Sequence, residues 1–186
     1  MNKPPASLEE ICLASERIFD GTLLHVRRDK ILLPNQRTSV REYINHPGAA
    51  VIVPVLQDGA LLLERQYRYP LRDEIIEFPA GKLDSGEEPL ATAQRELLEE
   101  TGYRAETWHA LGKIHPLPAY SDETIYCFVA ENLTHEQICR DDDEFLELLS
   151  VAPSALSAAI RSGKITDAKT ICAFFMFQVM KNEAKG

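Results

Sequence analysis

The stretch from Gly81 to Tyr103, GKLDSGEEPLATAQRELLEETGY, decides how this chain is read. Pro89 suits the first turn of a helix and Gly102 the residue just past its end, so the segment predicts a helix from about Pro89 to Thr101. At about 100° per residue, Leu90, Ala93, Leu97 and Leu98 fall on one arc of that helix. Glu96, Glu99 and Glu100 gather on another, roughly 100° wide. One face is suited to packing, and its neighbour collects carboxylates.

Like charges on adjacent helical turns repel by about a few tenths of a kcal/mol per exposed pair, more when shielded. Arg95, four residues before Glu99, is placed to pair with it, which leaves Glu96 and Glu100 to bind hard cations such as Mg²⁺ or Mn²⁺ through oxygen. The bland alternative is a solvated acidic helix face, the usual explanation of a charge run. The flanking glycines and Arg95, all in register, weigh against it.

The segment fits Gly-x5-Glu-x7-Arg-Glu-apolar-x-Glu-Glu-x-Gly-apolar throughout, through Gly81, Glu87, Arg95, Glu96, Leu97, Glu99, Glu100, Gly102 and Tyr103. It resembles the signature of the Nudix hydrolases, which cleave nucleoside diphosphates linked to another group. Outside the signature, ERQYRYP, EIIEFPAGKLD, DDDEFLEL and GKITDAKTICAFF are similar to the ADP-ribose pyrophosphatase branch, so the resemblance spans most of the chain from about residue 17. It implies an α/β/α sandwich and Mg²⁺-dependent cleavage of ADP-ribose to AMP and ribose 5-phosphate. It also implies metal binding by Glu96, Glu100 and the backbone carbonyl of Ala80, with Glu99 beside them, and roughly two or three ions per site.

In that branch a glutamate on a later loop usually acts as general base. Glu144, just ahead of a strand, matches best, with Asp143 as the fallback; an acidic surface turn is the competing reading. Pro118 stands where the branch usually carries a proline. Leu117-Pro118-Ala119 replaces the common Ser-Pro-Gly, a local departure in the loop over the terminal ribose. The resemblance further implies a homodimer whose N-terminal strands reach over the partner and help form the adenosine site, with Arg41 acting across the interface.

Length and composition agree with a compact enzyme. The 186 residues suit one domain with a modest extension, and 45% apolar content suffices for a core. A net charge of -9 argues against nonspecific binding to nucleic acid or an anionic membrane. No stretch reaches membrane-spanning length, and MNKPPASLEE lacks the apolar core of a secretory signal. Cys12, Cys127, Cys139 and Cys172 are scattered without a Cys-x-x-Cys pair and read as thiols of a reducing compartment, so a cytoplasmic location is expected.

Residues 1 to 8 read as a disordered tail, and the alternation between 14 and 46 suggests antiparallel strands too few to bury a core of their own. The division expected is an N-terminal β extension over 1–46 and a hydrolase domain over 47–186. AAVIVPVL and ALLLERQY flank Gln57-Asp58-Gly59, a hairpin signal. DEIIEF, TWHALGKI, ETIYCFVA and EFLELLSV read as further strands. Helices follow from about Pro153 to Arg161 and from Asp167 to Lys181, the second capped by Asp167 or Thr166. The fold expected is α/β (α+β), a mixed sheet between helices.

Arg68 and Arg41 are the cationic candidates for substrate binding, since a guanidinium meets phosphate oxygens with two bonds or stacks on a base. Glu77 is a candidate to orient the site or touch substrate. Gly81, Glu87, Arg95 and Gly102 read as structural, with Glu87 and Arg95 tying the loop to the helix. The five histidines lie far apart without metal-ligand spacing, and Trp108 and Phe174, Phe175 and Phe177 read as core or interface aromatics. Another nucleotide sugar or a dinucleotide, such as GDP-mannose or NADH, remains an alternative substrate. A non-catalytic nucleotide sensor is the reading from a different class.

Overall fold

The computed structural model describes residues 7–136 and 145–183 and divides into two units, Met1–His46 with Leu117–Glu123, and Pro47–Pro116 with Thr124–Gly186. In the first, β1 (Ile11–Asp20), β2 (His25–Leu32) and β3 (Thr38–Asn45) form an antiparallel sheet in the order β1-β2-β3. β1 begins at Ile11, ahead of the alternation that marks the other two strands in the sequence. It is exposed along its whole length, including Ile11, Leu13, Ile18 and Phe19, while Ile31 of β2 is buried. Asp122 fastens the 117–123 segment to this unit, accepting from Asn45 Nδ2 and the His46 amide, each at 2.7 Å.

The second unit contains two sheets where the sequence suggested one. β4 (Ala49–Pro54) is central in a four-stranded mixed sheet ordered β7-β4-β9-β8, pairing antiparallel with β7 (Ala80–Lys82) and parallel with β9 (Ile125–His135); β8 (Tyr103–Ile114) lies outside β9. A separate antiparallel sheet runs β10-β5-β6, from β5 (Leu61–Arg68), β6 (Asp73–Glu77) and β10 (Leu146–Val151). The Asp58-Gly59 turn forms, with Gly59 at φ 82° and its amide donating to the Leu56 carbonyl at 2.9 Å. The Leu56 amide, donating to the Ala60 carbonyl at 2.8 Å, and the isolated Val55–Leu61 bridge join its arms, after which β4 and β5 enter different sheets. The cause is burial: β4 is apolar and buried on both faces, so it needs strand partners on both edges and a helix over each face.

Those helices are α1 (Pro89–Thr101) and α3 (Ala168–Glu183). Ala50 and Ile52 of β4 pack with Ala93 and Leu97 of α1, whereas Val51 and Val53 join the cluster containing Ala173, Phe174 and Phe177 of α3. Leu90, one turn before Ala93, is 39% exposed rather than packed. α2 (Pro153–Arg161) contributes Leu156 to the α3 side. Asp167 caps α3, its Oδ2 accepting the Thr170 amide at 2.8 Å. Phe174 and Phe177 are core, while Phe175 faces solvent. Trp108 packs edge-on to Phe128. Cys127 is buried, and burial together with nearby Cys172 pushes its thiol up to about 12, so it stays protonated. Cys139 lies outside the described residues.

Candidate active site

The site is built where the β7 strand meets α1. Pro89 opens the helix, and Gly102 closes it in the left-handed conformation, φ 72°, with its amide donating to the Leu98 carbonyl at 2.8 Å. The loop before α1 is held by Glu87. Its Oε2 accepts from the Asp84 amide at 3.1 Å and from Thr92 Oγ1 at 2.8 Å. Arg95 reaches back to the same carboxylate, Nε to Oε1 at 3.1 Å and Nη2 to Oε2 at 3.0 Å, and also donates to the Lys82 carbonyl at 3.1 Å. These contacts hold the Glu87 carboxyl at about 2, first through the Arg95 hydrogen bond against the opposing effect of burial. They raise the Arg95 guanidinium above its ordinary value, again first through Glu87.

Arg95 Nη1 bridges two carboxylates of the acidic face, Glu96 at 2.7 Å and Glu99 at 3.0 Å. This corrects the sequence expectation that Arg95 would pair with Glu99 and leave Glu96 aside. A guanidinium carries five donors in a flat fork, so one arginine serves Glu87, Glu96 and Glu99 together. Glu100 is 5% exposed, and its Oε2 accepts the Ala80 amide at 3.0 Å. Gly81 lies directly against Glu96.

Among the described residues, no three His, Cys, Asp or Glu side chains stand in a metal-holding arrangement. The donor chemistry nevertheless fits a hard divalent cation. Glu96, Glu99 and Glu100 present acceptor-only oxygens along one arc of α1, and the tight Gly81–Glu96 packing brings that arc against the Ala80–Gly81 backbone.

A second cluster lies on the β5-β6 sheet. Glu77 at the end of β6 is 1% exposed, and its two oxygens meet two cations, Arg68 Nε on Oε1 at 2.7 Å and Lys169 Nζ on Oε2. Burial works against the charge of Arg68, but the Glu77 hydrogen bond and the fields of Glu77, Glu64 and Glu100 outweigh it and raise its pKa. The Arg68 side chain remains 40% exposed.

Arg41 and Pro118 belong to the other unit. Arg41 donates through Nε to Glu10 at 2.9 Å, and Pro118 sits in the turn that the Tyr120 amide closes onto the Leu117 carbonyl at 3.1 Å. Glu144 and Asp143 lie outside the described residues. His25, His46 and His109 each meet an acidic side chain, His115 approaches Thr124, and His135 packs edge-on to Tyr103.

Sequence reasoning passed over Glu64 and Lys169. Glu64 is buried and directly opposite Glu77 in the β5-β6 register, and a carboxylate closing the apolar run LLLE was its available signal. Lys169 is 92 residues from Glu77 in sequence, and no local pattern announces that contact.

A family model described as NUDIX domain matches residues 45–174. A protein of Bacillus subtilis (strain 168) named ADP-ribose pyrophosphatase is 39% identical over 175 residues, covering 93% of this chain and 95% of the relative. A Bacillus methanolicus protein named methanol dehydrogenase activator is 37% identical over 175 residues, 93% of this chain and 95% of that protein. A solved structure described as an ADP compounds hydrolase superposes with a TM-score of 0.85 at 24% identity, covering 96% of this chain and 97% of the other, a likeness of fold.

Proposed function

The chain belongs to the Nudix family, whose model matches residues 45–174, and from that premise we propose that it hydrolyses the diphosphate linkage of ADP-ribose to AMP and ribose 5-phosphate. The observation that carries this reading is the row of Glu96, Glu99 and Glu100 on α1, with Glu100 hydrogen-bonded to the backbone of Ala80. A water oxygen forms a bond to one phosphorus as the bridging P–O bond breaks, and two phosphomonoesters leave. Bound through Glu96, Glu100 and the Ala80 carbonyl, Mg²⁺ or Mn²⁺ would screen the anionic diphosphate and lower the pKa of water.

The chain's own groups have the following roles. Arg68, anchored by Glu77, receives a phosphate oxygen or stacks on the base. Glu99 supports the reacting water, and Glu144, with Asp143 as the fallback, takes its proton. Glu87, Arg95, Gly81 and Gly102 hold the loop and helix in register. Pro118 shapes the loop over the terminal ribose. The N-terminal extension, residues 1–46, joins two copies into a homodimer, and Arg41 acts across that interface. The exposed apolar side chains of β1 support this, because a strand with Ile11, Leu13, Ile18 and Phe19 open to water is suited to a partner surface. Free Cys12, Cys127 and Cys172 accord with a reducing, cytoplasmic setting.

The deciding experiment is product analysis with Mg²⁺ against ADP-ribose, GDP-mannose, NADH and diadenosine polyphosphates, with an EDTA control. Dominant, EDTA-sensitive release of AMP and ribose 5-phosphate from ADP-ribose supports the proposal. Preference for another compound keeps the chemistry and changes the substrate, and binding without turnover replaces hydrolysis by nucleotide sensing.

A further inference from the structure

The buried carboxylate of Glu77 has two oxygens and a different cation on each. Arg68 comes from β5, the neighbouring strand, whereas Lys169 comes from the first turn of α3. Lys169 is itself steadied by Asp167, whose Oδ1 lies 3.1 Å from its Nζ while Oδ2 caps the helix. The next residue, Thr170, is buried, and its hydroxyl oxygen accepts the amide of Phe78 at 2.8 Å. Two successive residues of α3 therefore grip two successive residues of the strand end. Two residues beyond Phe78, the Ala80 amide donates to Glu100.

A forked guanidinium facing a lone buried carboxylate engages both oxygens, since two parallel bonds satisfy more of the desolvated charge than one. Here Lys169 occupies Oε2, and Arg68 meets Oε1 through Nε. Resting on the hydrolase reading above, we propose that Lys169 is a positioning residue for substrate binding: by neutralising Oε2 of Glu77 it confines Arg68 to a single bond through Nε and keeps the Nη amino groups of Arg68 for the anionic diphosphate. Without Lys169, Arg68 turns its Nη groups onto Oε2 and withdraws them from substrate. Lys169 touches neither substrate nor reacting atoms; it acts through Glu77 and Arg68.

The test is a double-mutant cycle of Lys169→Met, Glu77→Gln and the pair, measured as kcat and KM for ADP-ribose at saturating Mg²⁺ with thermal melts alongside. Lys169→Met is expected to raise KM about tenfold, the share of one charge-assisted hydrogen bond, with kcat within about threefold of wild type. Adding Glu77→Gln removes the charge that draws Arg68 inward, so the double variant recovers a KM within about threefold of Glu77→Gln alone. An unchanged KM in Lys169→Met, or strictly additive effects, overturns the proposal. A crystal structure of Lys169→Met without substrate gives a readout independent of activity: Arg68 Nη on Glu77 Oε2 supports the proposal, and an unmoved Arg68 refutes it. If wild type turns over no nucleotide sugar, the hydrolase reading fails by itself, and the Arg68 geometry in that crystal structure still decides what Lys169 does.

Discussion

Glu96 fills the space that a side chain at Gly81 would occupy: a Cβ built on Gly81 falls 1.8 Å from Glu96 Oε1 and 1.9 Å from its Cδ. Gly81 has no positive φ, so the need for glycine is one of close approach between strand β7 and helix α1, not of backbone conformation. Gly81→Ala forces the Glu96 carboxylate aside while the fold is kept. The expected result is a fall in kcat/KM of about 100-fold or more, the scale of a displaced catalytic group, with a small change in melting temperature. A variant with near-normal kcat/KM would show that the position of Glu96 does not matter.

Glu100→Gln keeps an oxygen able to accept the Ala80 amide, so its melting curve in EDTA should stay close to wild type. Loss of the charge should lower kcat by about 100-fold or more, and EDTA should do the same to wild type. Robust turnover by the variant would remove Glu100 from the metal-binding set.

Arg95 joins Glu87, Glu96 and Glu99, and Arg95→Met would leave these carboxylates to repel one another. Because the cluster is only partly exposed, a loss of about 2 kcal/mol is expected in urea denaturation without added metal. Arg95→Lys should recover only part of it, since an ammonium cannot fork across three partners. Equal stability of the methionine variant would mean that the contacts contribute nothing net.

Glu87 links stability to acid. Its folded value of about 2 lies below the ordinary 4.5, so the unfolded chain binds more protons between those values. The stabilisation is therefore complete above about pH 4.5 and is lost as pH falls toward 2. Urea midpoints measured from pH 6 to pH 2 should fall more steeply for wild type than for Glu87→Gln, and parallel curves would exclude Glu87 as the source.

Phe19, 56% exposed on β1, tests the dimer. Wild type should sediment as a dimer, and Phe19→Asp should shift it toward monomer and reduce turnover. A wild-type monomer with full activity would remove the interface from the functional reading.

Helix α1 was legible because its signals are local. Pro89, Gly102 and the apolar spacing of Ala93 and Leu97 act within a few turns, and the observed helix spans Pro89–Thr101. That Glu96, Glu99 and Glu100 share an arc follows from helical periodicity alone. Leu90 was misread because periodicity states which side a residue faces, not whether a neighbour reaches it. The parting of β4 and β5 was hidden for a related reason. The Asp58-Gly59 turn is written in its own residues, but which strands then pair depends on partners as distant as β9 and β10.

By itself, then, the sequence determined the helices, most of the strands and the family-like signature, because propensity, capping and periodicity operate over a few residues; β7, read as a Pro79-Ala80-Gly81 turn, is a strand only through its pairing with β4. Only the tertiary structure decided that Arg95 serves Glu96 as well as Glu99, that Gly81 yields its space to Glu96, and that Lys169 reaches Glu77 across 92 residues. The last two bring separate elements together, and the Arg95–Glu96 pair within α1 forms with Arg95 also reaching back to Glu87 and the Lys82 carbonyl; all depend on the packing that covers both faces of β4 with α1 and α3.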